Sequence, residues 1–282
     1  MSSVFSKAFK TGTSQWRVAA IVYFVQFCLA LTLGMEVHNV LGASIGKSLE
    51  INKLLAHYDH TVFSDFLKVH GASITPLIGQ LRWLLLIWLL FSVFIDAGLL
   101  YGATEPEQVK GSTFWQGGAR YFFPFLKISL VFLVLVLIWT ALIFVPIAMF
   151  LQPALDYFTS EIIPVWTVLG LLVLYVVGLI KFFIWSVVSR LYHIQMGATV
   201  PGSLKNGRRI FWKNKGALLT FTFGFFALQV LLFVIYWWLE SMSGMTTPVL
   251  IAVFFVLQQA FVFFRIQIRQ MVYDGIAAIV GV

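Results

Sequence analysis

Charged side chains are scarce in this sequence. Lys, Arg, Asp and Glu make up 11% of the 282 residues, whereas soluble globular domains carry about 25%. Hydrophobic residues account for 60% of the chain, and the mean hydropathy is +0.93. They lie in runs close to or longer than the ~20 residues that an α-helix needs to cross a bilayer. The composition excludes a soluble globular protein and predicts an all-α polytopic membrane protein.

Cysteines and the signatures of common enzymes are also nearly missing. Cys28 is the only cysteine, so an intrachain disulfide is excluded. The sequence has no Walker motif and no HExxH pair of zinc ligands. His57 and His60 are three residues apart, but we interpret them as part of a polar surface rather than as metal ligands. We therefore expect no enzymatic activity, no cofactor and no metal.

Six apolar runs are long enough to span a bilayer. They are Val18–Met35, Leu81–Tyr101, Phe125–Leu151, Val165–Tyr192, Ala217–Leu239 and Pro248–Tyr273. We expect six transmembrane helices in a single membrane domain, residues 1–282, with the first span uncleaved. Residues 36–80 are predicted to form an external insertion of two or three short amphipathic helices, one of which ends at Gly71. Val4–Arg17 is predicted to be a short interfacial helix.

The basic residues are distributed unevenly between the two sides of the predicted membrane. The formal net charge is +8. Of the 19 Lys and Arg residues, Lys181 lies within a span, four lie on the side opposite the N-terminus, and fourteen lie on the N-terminal side; the four are Lys47, Lys53, Lys68 and Arg82. The positive-inside rule therefore places both termini in the cytoplasm. This bias explains the basic charge without nucleic-acid binding.

A short motif occurs twice at a spacing of 95 residues. Gly102-Ala103-Thr104-Glu105-Pro106 is followed by Lys110, and Gly197-Ala198-Thr199-Val200-Pro201 is followed by Lys205. Each copy follows an apolar run and precedes a basic, aromatic segment. We interpret Gly102, Pro106, Gly197 and Pro201 as hinges of an internal repeat, in which the glycine ends one helix and the proline begins an interfacial one. The repeat predicts three tandem helical hairpins.

The segment from Val109 onward has a distinctive order of residue types. Basic and aromatic residues, as in Gly117-Gly118-Ala119-Arg120-Tyr121-Phe122, precede a long span rich in Phe, Leu and Val. This pattern resembles a loose group of uncharacterised bacterial six-helix integral membrane proteins, among them YciC-type proteins and the membrane domain of glycerophosphodiester phosphodiesterases. The resemblance covers most of the chain and implies a bacterial cytoplasmic (inner) membrane. Because the group has no agreed activity, it assigns no catalytic residue.

Three ionisable residues lie at similar positions near the ends of predicted spans. Asp96, Arg190 and Arg269 precede Gly102, Gly197 and Gly275 by six or seven residues, which places all three on the order of 10 Å inside the cytoplasmic boundary. Lys181 lies deeper. One interpretation is a polar cluster that lines a cytoplasm-facing cavity for an anionic ligand. The other is a structural ion pair, with Asp96 bound to Arg190 as the favoured partner.

These observations lead to two hypotheses of function. The first is a non-enzymatic membrane module that binds or transports a lipid or a small anionic solute. The alternative is a structural or assembly subunit that packs beside a partner membrane protein. Membrane lipids are the expected partners in both cases, and nucleic acid is not. The basic residues expected to contact lipid headgroups are Lys205, Arg208, Arg209, Lys213 and Lys215.

Overall fold

The chain is all-α, as predicted from its composition. A computed structural model describes residues 2–45, 60–104, 111–157, 162–243 and 247–281. Within these ranges the helices are α1 (Ser2–Ser14), α2 (Trp16–Ile45), α3 (His60–Thr104), α4 (Gly111–Tyr157), α5 (Ile162–Met196), α6 (Val200–Lys213), α7 (Lys215–Ser243) and α8 (Pro248–Val280). His57, Pro106 and Lys110 lie outside the described residues.

Six of these helices are long and apolar enough to cross a membrane, which confirms the predicted number of spans. The segments are Trp16–Val40, Leu77–Thr104, Gly111–Leu151, Ile162–Met196, Lys215–Met242 and Pro248–Val280. Two predicted hairpins are packed pairs, since α4 lies against α5 and α7 lies against α8. The remaining helices, α1 and α6, have 13 and 14 residues.

The chain divides into two packed units. One comprises Ala20–Ser92, which contains most of α2 and α3. The other comprises Met1–Ala19 and Val93–Val282. We call the second the main unit. It contains every residue of the sites discussed below.

Buried side chains of the main unit are concentrated at one end of its long helices. Buried positions include Ile95 and Leu100 of α3, Phe125 of α4, Ile184 of α5 and Ile276 of α8. Toward the opposite end of the long helices, large apolar side chains are mostly exposed, for example Leu137, Phe150, Val173, Phe233 and Val256. Exposed apolar surface of this extent is expected where a helix faces lipid. The main unit thus has a packed end, formed by the residues near the basic segments, and an opposite end of lipid-facing helices.

The predicted external insertion differs from the structure where residues are described. Residues 60–80 do not form separate short helices, because they are the first turns of α3, which continues without a break to Thr104. Gly71 was expected to end a helix. A glycine that ends a helix commonly takes a left-handed conformation, but among the described glycines only Gly197 and Gly281 have a positive φ. Gly71 instead stays within the helix.

The two copies of the repeated motif have different local geometries. Gly197 has a φ of +56° and follows the last residue of α5, and its N–H donates to the carbonyl oxygen of His193 at 3.0 Å. Thr199 is the N-cap of α6, and Pro201 lies in its first turn. Gly102, by contrast, is buried within α3, two residues before its end. The prediction that Gly102 ends a helix is therefore wrong, whereas Gly197 and Pro201 form the expected hinge.

The hinge folds α6 back against α5. Ser203, Gly207 and Phe211 lie one turn apart and form the buried face of α6. The indole nitrogen of Trp185 donates to the carbonyl oxygen of Leu204 at 3.1 Å. A Cβ atom at Gly207 would lie 2.7 Å from the Cα atom of Ser189, so only glycine permits this approach of the two helices.

Substitution of Gly207 tests this packing. We expect Gly207→Ala to destabilise the protein by about 1–3 kcal/mol, because a methyl group would force the backbones of α5 and α6 apart. The measurement is thermal unfolding of the purified protein in detergent. Gly216→Ala is the matched control, since a Cβ atom at Gly216 would meet nothing within 4 Å. Equal unfolding temperatures for the two variants would contradict the account.

Candidate functional site

Asp96 is the centre of a buried polar cluster at the packed end of the main unit. It lies in the last turns of α3 and is 8% exposed. Its two oxygens accept hydrogen bonds from three side chains: Arg190 on α5, and Arg269 and Tyr273 on α8. Both arginines form ion pairs with it. The predicted contact between Asp96 and Arg190 is therefore present, and Arg269 belongs to the same cluster.

Arg190 donates hydrogen bonds from both terminal nitrogens of its guanidinium group. Its Nη1 donates to Asp96 Oδ2 at 2.7 Å, and its Nη2 donates to Ser129 Oγ at 2.9 Å. Ser129 in turn donates to the carbonyl oxygen of Phe125 at 2.7 Å. The guanidinium carbon lies 5.4 Å from the centre of the Phe125 ring, within range of a cation–π interaction. Arg190 Nε is buried and has no hydrogen-bond partner.

Arg269 and Tyr273 act together because they lie four residues apart on one face of α8. Arg269 Nε donates to the hydroxyl oxygen of Tyr273 at 3.1 Å, and that hydroxyl donates to Asp96 Oδ1. Arg269 Nη2 reaches the same carboxylate oxygen. Tyr273 is 1% exposed, whereas the Arg269 side chain is 28% exposed. Arg269 is thus the most exposed of the three charged side chains in the cluster.

The cluster links four helices and carries an excess of positive charge. Asp96 belongs to α3, Ser129 to α4, Arg190 to α5, and Arg269 with Tyr273 to α8. Two guanidinium groups face one carboxylate, so the cluster has a formal charge of +1. Helix α8 carries one acid of its own, Asp274, whose Oδ2 is buried without a hydrogen-bond partner. It follows Arg269 by five residues, which places it about 140° around the helix axis from that arginine.

Lys181 does not join the cluster, although it was predicted as a member. Its side chain is exposed on α5. Lys181 and Arg190 are nine residues apart, and nine steps of about 100° place them on opposite faces of an α-helix. Lys181 therefore points away from the partners of Arg190.

The predicted headgroup contacts lie together on the outside of α6 and at the start of α7. All of them are exposed: Lys205, Arg208, Arg209, Lys213 and Lys215. Arg208 lies 6.0 Å from the centre of the Trp185 ring, and the Lys215 ammonium lies 5.4 Å from that of Trp212. Since the opposite face of α6 is buried, this helix presents a basic and aromatic surface suited to anionic headgroups.

Sequence reasoning missed two members of the cluster. Tyr273 enters the sequence analysis only as the last residue of the sixth predicted span, although its spacing of four residues from Arg269 places it on the same helix face. Ser129 carries no charge and gave no comparable signal. It lies near the start of a span in which polar residues are rare, and that scarcity was the available clue.

One pattern associated with hydrolases does occur in the chain. Residues Gly42–Gly46 match the GxSxG arrangement around a nucleophilic serine. In hydrolases that serine lies on a sharp turn between a strand and a helix. Ser44 instead lies within α2, and no strand is present among the described residues. The local geometry therefore gives no support to a nucleophilic role.

Comparison with protein-family models, with curated proteins and with solved structures finds no match to this chain.

The Asp96 cluster predicts strong energetic coupling between its members. We expect Asp96→Asn to lower the free energy of unfolding by about 3–5 kcal/mol, because it leaves two guanidinium groups without their counter-ion. The double variant with Arg190→Gln should recover part of that loss. The measurement is reversible unfolding in mixed micelles, analysed as a double-mutant cycle.

Lys181→Gln is the control for removing a cation from α5. Because Lys181 is exposed, its replacement should change the free energy of unfolding by no more than about 0.5 kcal/mol. Additive losses for Asp96→Asn and Arg190→Gln would show that the two side chains are not coupled.

Proposed function

We propose that this chain is a non-enzymatic membrane module that binds an anionic ligand, either a lipid headgroup or a small anionic solute, at the Asp96 cluster. The single observation that carries the proposal is the charge balance of the cluster. An unpaired charge buried away from water is costly. An anion held against Arg269 would neutralise the excess positive charge.

The partial exposure of Arg269 supports access of a ligand to the cluster from one side. Tyr273 and Asp96 are buried, but part of the Arg269 side chain is open. A guanidinium group presents five N–H donors in a planar fork that matches phosphate and carboxylate. Arg269 uses Nε and Nη2 within the cluster. Its remaining donors are suited to oxygens of a bound anion.

The position of the cluster along α8 favours a ligand at the membrane surface. Arg269 follows the first residue of α8, Pro248, by 21 residues, or about 32 Å at 1.5 Å per residue. The hydrocarbon core of a bilayer is about 30 Å thick. With Pro248 at one edge of the hydrocarbon, Arg269 lies at the other edge, where phosphate headgroups begin. This is closer to the surface than the depth expected from the sequence.

A structural or assembly subunit is the second candidate function. It is favoured by the three donors that already bind the Asp96 carboxylate. An ion pair with these hydrogen bonds can hold four helices together without any ligand. The two candidates differ in one respect: only the first requires an anion to bind at Arg269.

Replacement of Arg269, the exposed cation of the cluster, distinguishes the anion-binding module from the structural subunit. For the wild-type protein, we expect short-chain phosphatidylglycerol to raise the apparent unfolding temperature by about 5 °C over phosphatidylcholine. Arg269→Gln should reduce this shift, because the cluster becomes neutral while the Asp96–Arg190 pair remains. Arg269→Lys should keep part of it. Inorganic phosphate is tested in parallel, since a response to phosphate alone would identify a soluble anion rather than a lipid.

The matched control removes a cation that lies outside both the Asp96 cluster and the basic surface of α6. Lys181→Gln should leave the selective shift in place, because Lys181 is exposed on α5 and takes no part in the ion pairs of Asp96. A full shift in Arg269→Gln would reject anion binding at the cluster. No selective shift in the wild-type protein would favour the structural subunit.

We propose further that both termini and the basic face of α6 are cytoplasmic, in a bacterial inner membrane. In a Cys28→Ser background, a membrane-impermeant maleimide added to intact bacterial cells should label Tyr157→Cys at the end of α4. It should label Lys213→Cys only after the membrane is permeabilised. Both positions are exposed, so access to the cysteine is not limited by burial. Labelling of Lys213→Cys in intact cells would reverse the orientation.

A further inference from the structure

A groove between α1 and α7 is separate from the Asp96 cluster and shares no residue with it. Its volume is about 560 Å³, within the range of small-molecule sites. Phe5 of α1 forms one wall and stacks on Phe225 of α7, with the ring centroids 5.4 Å apart. Phe9 and Leu228 extend the apolar lining. Gly224 lies at the contact between the helices, where a Cβ atom would be 2.9 Å from Phe5 Cζ.

Lys10 is the only charged residue that lines the groove among the residues the structure describes. It is exposed on α1. No Asp or Glu occurs in the first 35 residues of the chain, whereas Lys7, Lys10 and Arg17 do. The groove therefore combines an apolar lining with a cationic edge. A ligand that complements it needs a hydrocarbon part and a negative charge.

The groove lies near the level at which hydrocarbon meets headgroups. Phe225 precedes the last residue of α7, Ser243, by 18 residues, or about 27 Å. That distance is close to the ~30 Å thickness of the hydrocarbon core. An amphipathic helix at this level is placed to bury its apolar face among acyl chains and to keep its lysines among headgroups. At this level of a membrane, an anionic phospholipid supplies both parts of the required ligand.

We propose that this groove binds one phospholipid, with an acyl chain between Phe5 and Leu228 and an anionic headgroup beside Lys10. This inference does not rest on the proposed function, because the residues of the groove are not those of the Asp96 cluster and each site is tested by substitutions of its own. The bound lipid would stabilise the contact between the N-terminal helix α1 and α7.

Photochemical crosslinking tests the site in the full-length protein. A phosphatidylglycerol probe with a diazirine in its acyl chain is irradiated in phosphatidylcholine micelles with the purified protein, and labelled peptides are mapped by mass spectrometry. We expect labelling within residues 5–13 and 224–228. Lys10→Gln should reduce labelling about fivefold, the effect of one basic residue near an anionic surface. Lys7→Gln is the matched control and should leave labelling unchanged, because Lys7 lies on the same helix outside the groove.

Leu228→Trp provides a second test, since it fills the groove without changing its charge. It should reduce labelling within residues 5–13 while leaving the unfolding temperature in phosphatidylcholine near that of the wild type. Equal labelling of Lys10→Gln and Lys7→Gln, labels that map elsewhere, or equal labelling by a phosphatidylcholine probe would each overturn the proposal.

Discussion

The buried carboxylate of Asp96 imposes the main constraint on this protein. A charged group removed from water needs compensating charge and hydrogen bonds, or it destabilises the fold. Arg190 and Arg269 provide the charge, and Tyr273 provides a further hydrogen bond. Because these residues come from α5 and α8, satisfying one side chain of α3 also fixes the register of three long helices. Ser129 extends the same network to α4.

The rest of the main unit is organised around this cluster. Its buried residues surround the ends of the helices that contribute to the cluster, whereas the opposite ends expose apolar side chains. Helices of 33 to 47 residues, such as α8 and α4, exceed the ~20 residues that a bilayer requires. The excess length forms the packed end. At this end α1 and α6 add amphipathic surfaces. The Asp96 cluster and the basic residues of α1 and α6 therefore all belong to the packed end of the main unit.

Hydrophobic run length was sufficient to predict the six spans, and similar depth was sufficient to place Asp96 near Arg190 and Arg269. Depth alone could not exclude Lys181, since that requires the angle around the helix as well as the distance along it. The role of Tyr273 depends on tertiary contacts with α3, which spacing within α8 does not reveal. Likewise, a glycine motif cannot distinguish Gly197, which takes a left-handed conformation, from Gly102, which stays helical.

The central claim is that the Asp96 cluster retains a positive charge that binds an anion at Arg269. The most direct measurement is an experimental structure in nanodiscs that contain an anionic phospholipid. The account predicts both arginines on the Asp96 carboxylate and density for a phosphate group against the exposed part of the Arg269 guanidinium. A structure with Arg269 turned away from Asp96, or with the cluster closed and no anion beside it, would contradict the account.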